Sequence, residues 1–67
     1  MDKRTPSLIR AIRERKGITL SQLAEKVGKT PSYISDIERG NRRGSYATIA
    51  KIAEALEVET DLLWRAS

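Results

Sequence analysis

The stretch from Thr19 to Gly40 leaves this chain few choices of fold, because each of its boundaries is marked twice. Thr19 carries a hydroxyl that can accept an orphan backbone N–H, so it reads as an N-cap. Leu23, Ala24 and Val27 then share one face at helical spacing. Gly28 follows the last apolar residue, where a helix end favours a residue that accepts positive φ. Thr30 is a second N-cap. Pro31 sits in the first turn, where its missing N–H breaks no hydrogen bond. Ile34 and Ile37 give the second helix a buried stripe, and Gly40 ends it. The spacing predicts two short helices, about 20–27 and 31–39, joined by a sharp turn. A plain αα-hairpin is the simplest alternative. Ala24 argues against it, being small where two helices so joined must approach closely.

Two runs carry a resemblance: Leu23-Ala24-Glu25-Lys26-Val27-Gly28 and Tyr33-Ile34-Ser35-Asp36-Ile37-Glu38-Arg39-Gly40. They resemble the helix-turn-helix of the lambda repressor–Cro family, also called the XRE family. The likeness extends from about Ile9 to Leu63. The Tyr-Ile-Ser…Ile-Glu-Arg run also resembles the controller proteins of restriction–modification systems. The resemblance implies an all-α, five-helix, lambda repressor-like fold with the helix-turn-helix at helices 2 and 3. It further implies a transcriptional regulator that binds a palindromic operator in double-stranded DNA as a homodimer. The rival reading is a protein-interaction module, such as the antitoxin partner of a toxin, with DNA binding secondary.

Composition narrows the function classes. Sixty-seven residues fit a single domain, 1–67, with a small core. The chain has no cysteine and no histidine. Disulfides, thiolate metal sites and the commonest general base are therefore missing. No motif offers a carboxylate or lysine pocket in their place. An enzyme, a metal and a cofactor are not expected, nor is a small-molecule effector site. No apolar run approaches membrane-spanning length and no signal-peptide pattern opens the chain, so a cytoplasmic protein with no membrane partner is expected. The net charge of +4 is unevenly spread. Residues 1–44 hold 11 Lys/Arg against 5 Asp/Glu, or +6, and residues 45–67 hold 2 against 4, or −2. The half that holds the helix-turn-helix is the half that attracts a polyanion.

The remaining elements follow from caps and apolar faces. Met1 to Arg4 is a short basic arm. Thr5 and Pro6 read as N-cap and first residue of a helix to about Lys16, ended by Gly17. Leu8, Ile9 and Ile12 are its apolar side, and Ile18 packs beyond the turn. The resemblance pairs Arg13 of this helix with a glutamate near the end of helix 3, a position that Glu38 holds. Ser45 caps a fourth helix to about Leu56, with Ile49, Ile52, Ala53 and Leu56 on one face. Val58 links it to a last helix, which Thr60 caps and which runs from Asp61 to about Trp64. Leu62, Leu63 and Trp64 cannot all face inward on one turn, so at least one is expected to be exposed and the three to form a dimerisation surface; the alternative, compatible with it, is that Trp64 covers the end of the small core.

The motif places the N-terminal part of helix 3 in the major groove. Pro31, Ser32, Ser35 and Asp36 are the candidate base contacts. Each serine hydroxyl can donate or accept at a base edge. Asp36 either accepts from a cytosine amine or pairs with Arg39 at i+3, and the second is favoured because a carboxylate near phosphates costs energy. Lys29, Arg39, Asn41, Arg42 and Arg43 are candidate contacts to the DNA backbone, which positions the protein without reading sequence. The family commonly has a glutamine at the position of Leu20 to clamp a phosphate. Leucine has no amide, so either Ser21 or Gln22 substitutes for it or the contact is absent. Tyr33 either packs against helix 4 or presents its hydroxyl to a phosphate, and the sequence does not choose.

Overall fold

A computed structural model describes residues 4–66. Five helices follow one another: α1 (Arg4–Arg15), α2 (Leu20–Val27), α3 (Pro31–Arg39), α4 (Tyr46–Leu56) and α5 (Thr60–Ala66). The all-α, lambda repressor-like arrangement is the one expected. The basic arm before Arg4 lies outside the described residues. Helix α1 includes Thr5 and Pro6, so Thr5 is not the residue before the helix. Pro6 remains among the first four residues, whose N–H groups have no acceptor within the helix, and the earlier start loses no bond. Thr60 likewise opens α5 instead of preceding it.

The caps of the central unit are made by the side chains expected of them. Thr19 Oγ1 accepts from the Gln22 N–H at 3.1 Å, and Gln22 Oε1 accepts from the Thr19 N–H at 2.9 Å. The two orphan donors are satisfied reciprocally, a capping box. Thr30 Oγ1 accepts from the Tyr33 N–H, and Ser45 Oγ from the Thr48 N–H. The helix ends share one geometry. Gly17, Gly28 and Gly40 have φ of 72°, 78° and 81°. The residue after each returns its N–H to the helix: Ile18 to Arg13 O, Lys29 to Ala24 O and Asn41 to Asp36 O. This is the Schellman arrangement. Helix α4 ends in the same way without glycine. Glu57 adopts φ 60°, and Val58 donates to Ala53 O.

The core is aliphatic. Ile9, Leu23, Ala24, Val27, Ile34, Ile37, Ile49, Ile52, Ala53, Leu56 and Leu63 are buried, and every helix supplies at least one of them. Leu8, Ile12, Ile18, Leu20 and Val58 pack around this cluster, half-buried. Among these aliphatics lies one charged pair. Arg13 Nε donates to Glu38 Oε2 at 2.6 Å, Arg13 Nη2 to Glu38 Oε1 at 3.2 Å, and Arg13 Nη1 to the Ile18 carbonyl at 2.9 Å. Both residues are 7% exposed. The carboxylate raises the Arg13 pKa above its ordinary value, chiefly through the hydrogen bond to Glu38.

Two stability changes follow. Glu38→Ala strands a buried guanidinium and should cost on the order of 3–5 kcal/mol in urea denaturation, where an exposed pair would cost under about 1. Glu57→Gly should act in the other direction. An L-residue in the left-handed region costs roughly 1–2 kcal/mol, part of which the freer unfolded glycine gives back. A gain of up to about 1 kcal/mol in the same measurement is expected, with no change in its denaturant dependence.

Candidate nucleic-acid interface

Helix α3 buries Ile34, Ile37 and Glu38 and turns its other side outward. Pro31, Ser32 and Arg39 are exposed, while Ser35 and Asp36 are half-buried. Ser32 therefore has the freest hydroxyl on this face, and Ser35 a more recessed one. Asp36 is not paired with Arg39. Among the described residues the ion pairs within 4.0 Å are Arg10–Glu14 and Arg13–Glu38. The Asp36 main-chain carbonyl accepts from the Asn41 and Arg42 N–H groups, which fold the loop back over the end of α3. The Asp36 carboxylate keeps its acceptor capacity.

The cations around α3 are arranged by aromatic rings. Lys29 Nζ lies 5.3 Å from the centroid of the Tyr33 ring, and Arg42 Cζ lies 4.9 Å from it. Tyr33 is half-buried against the core, so its ring is a fixed platform. Half-burial fits the first of the sequence alternatives for Tyr33, packing against the core, and its ring face in addition meets two cations. Arg43 turns elsewhere. Its Cζ is 5.6 Å from the Trp64 ring, which meets Tyr46 edge to face at 5.2 Å. Ser21, Gln22 and Asn41 are exposed. Gln22 Oε1 is engaged in the capping box, which leaves its amide N–H groups as donors.

Three features here carried no sequence signal. Gly44 is buried, and a Cβ there would lie 3.2 Å from Ile49 Cδ1 and 3.3 Å from Ile37 Cδ1. The loop after α3 therefore runs directly against the core. The second feature is the division of Arg42 and Arg43 between two rings. The third is the splitting of the expected Leu62-Leu63-Trp64 surface. Leu63 is 1% exposed and belongs to the core, so it cannot form part of a docking face. Leu62, 48% exposed, lines a groove with Leu8, Ala11 and Ile12 of α1. Trp64 lies two residues on, about 200° around a helix of 3.6 residues per turn, beside Tyr46. Leu62 and Trp64 thus belong to different faces.

Charge follows the same division. Lys29, Arg39 and Arg42 flank the exposed side of α3, with Arg43 beside them on the Trp64 ring, whereas Glu54, Glu57, Glu59 and Asp61 lie at the end of α4 and the start of α5. Among the described residues no group of three or more His, Cys, Asp or Glu could hold a metal ion. Among them, too, no helix is long and apolar enough to cross a membrane.

Comparison with known proteins agrees with this geometry. A family model described as helix-turn-helix matches residues 9–63. An uncharacterized HTH-type transcriptional regulator of Mycobacterium tuberculosis is 40% identical over 58 residues, covering 87% of this chain and 41% of that protein. The immunity repressor protein of Bacillus phage phi105 is 38% identical over 55 residues, 82% of this chain and 38% of its own length. The uncharacterized HTH-type transcriptional regulator YazB of Bacillus subtilis is 42% identical over 55 residues, 82% of this chain and 80% of YazB. The chain spans less than half the length of the first two and most of the third.

Proposed function

The chain belongs to the helix-turn-helix family, of the Cro/C1 (XRE) type, and from that premise we propose that it is a sequence-specific DNA-binding regulator of transcription that acts as a homodimer. The observation that carries this reading is the outer face of α3, polar along its length and bracketed by Lys29 before it and Arg42 after it. An electropositive helix face of this size is suited to a major groove, which admits an α-helix.

In this reading Ser32 and Ser35 bond base edges. Asp36, with no cation to pair with, accepts from a cytosine amine. Pro31 has no N–H and offers only apolar contact, suited to a thymine methyl. Lys29, Arg39, Asn41 and Arg42, with Ser21 and the Gln22 amide, bond phosphates and fix the register. The second copy docks on the face made by Tyr46, Trp64 and Arg43. Aromatic residues and arginine are enriched in such interfaces. This face is also continuous with the loop after α3, which would set two α3 helices side by side, about 34 Å apart along one turn of DNA. The occupied operator then blocks or recruits polymerase.

Selection of bound duplexes from a random pool should return a palindromic consensus; recovery of unrelated sequences would overturn the reading. Ser32→Ala and Ser35→Ala should reduce the preference for that consensus over random DNA and leave the salt dependence of binding unchanged, since hydroxyls release no counterions. Dimerisation has its own test. Tyr46 opens α4, where the helix dipole favours a carboxylate, so Tyr46→Glu should fold normally yet give monomers in sedimentation. Leu62→Glu, on the other face, should remain dimeric. A wild type that stays monomeric both alone and on DNA would remove the dimer from the reading.

A further inference from the structure

Lys29 and Arg42 leave the backbone at opposite ends of α3, yet their charges meet on one ring. Each backbone position is fixed. The Lys29 N–H donates to Ala24 O at 2.9 Å, and the Arg42 N–H donates to Asp36 O at 3.2 Å. From these anchors the two side chains converge on Tyr33, one to 5.3 Å and the other to 4.9 Å from its centroid. Their separation cannot exceed the sum of those two distances. The negative face of the ring attracts each cation only modestly at an exposed site, so both charges remain available to an anion. Among the described residues neither cation pairs with a carboxylate. Two cations without a carboxylate partner are thus held against one ring.

We propose that Lys29 and Arg42 form a two-cation clamp for a single phosphodiester of the DNA backbone, with Tyr33 as the positioning residue that holds both. The inference rests on the DNA-binding reading above and specifies which part of the surface takes the backbone. Its chemistry is that of preorganisation. Long exposed side chains lose rotamer freedom when they bind a phosphate. A ring already holding both removes part of that cost before DNA arrives. Arg43, on the Trp64 ring, stands outside the clamp despite being adjacent in sequence.

Counterion release distinguishes one shared phosphate from two separate ones. Each neutralised phosphate contributes about 0.9 to the slope of log K against log salt. For a shared phosphate, Lys29→Ala and Arg42→Ala should each weaken binding but lower the slope by much less than about 0.9, because one cation remains in place. The double variant should then lose about 0.9 in total. A double variant that loses about 1.8 would overturn the clamp and assign each cation its own phosphate. Tyr33→Leu should reduce affinity several-fold at fixed salt with the wild-type slope, and Tyr33→Phe should restore it, because the ring face and not the hydroxyl is used. Wild-type affinity in Tyr33→Leu would remove the positioning role. The alanine variants alter exposed side chains only, so they decide the question even if Tyr33→Leu does not fold. A wild type with no salt-dependent binding to duplex DNA would end the DNA-binding reading itself, whereas steep wild-type dependence with additive alanine effects would end only the clamp.

Discussion

The Arg13 guanidinium is the joint on which the helix-turn-helix is mounted. It extends from α1, grips Glu38 at the far end of α3, and donates to the Ile18 carbonyl in the turn that leads to α2. One side chain thus fixes three segments at once. A buried ion pair adds little net stability, because desolvation offsets the attraction. Its effect is geometric. An aliphatic core tolerates small slips of one helix over another, whereas a two-pronged guanidinium–carboxylate contact accepts one arrangement. The burial is complete in its hydrogen bonding: among the described residues no buried side-chain nitrogen or oxygen lacks a partner. The orientation of α3 relative to α1 is therefore set by directional bonds, and the core fills in around it.

Repetition of one helix ending governs where the loops go. After α1, α2, α3 and α4 the chain makes the same left-handed turn, and the next residue bonds back to the helix. What differs is the residue that lands there. Ile18 and Val58 are apolar and fold inward against the core. Lys29 and Asn41 are polar and remain exposed. The same backbone geometry closes the core in two places and flanks the outer face of α3 in the other two. Residue type alone makes the distinction.

This is why so much of the fold was legible in the sequence. Caps and glycine ends are local, and Thr19, Thr30, Ser45, Gly28 and Gly40 act within a few residues of themselves. The apolar faces of α2, α3 and α4 were legible for the same reason. The exceptions involve contacts between distant segments or a helix end without its usual residue. Glu57 takes a glycine conformation because α4 and Val58 are both held by the core, and no glutamate announces that. Gly44 looks like a loop glycine, but its hydrogen faces Ile37 and Ile49. Leu63 could be told from Leu62 only once the packing of α5 was known. The site residues were legible as a face of a helix. Their pairing with rings was not, since Arg42 and Arg43 are neighbours in sequence with different partners in space.

The fate of the aromatic residues connects the small core to the surface. The chain has two tyrosines, one tryptophan and no phenylalanine. None of the three lies in the buried cluster, which is built from Ile, Leu, Val and Ala. A domain this small has little interior, and branched aliphatics fill it without a polar atom to satisfy. Tyr33 and Trp64 are left at its edge, half-buried against the core with a ring face available to cations, and Tyr46 lies outside them, exposed and edge-on to Trp64. There they organise the two adjacent arginines that follow α3. Arg42 is drawn to Tyr33, on α3 itself, and Arg43 to Trp64, on α5. Between them the loop is tied to the helix proposed to read DNA and to the helix proposed to meet a second copy. Gly44 lets the loop lie close enough to the core for both arginines to reach. The loop is thus held by two rings, one on α3 and one on α5, and by the core beneath Gly44.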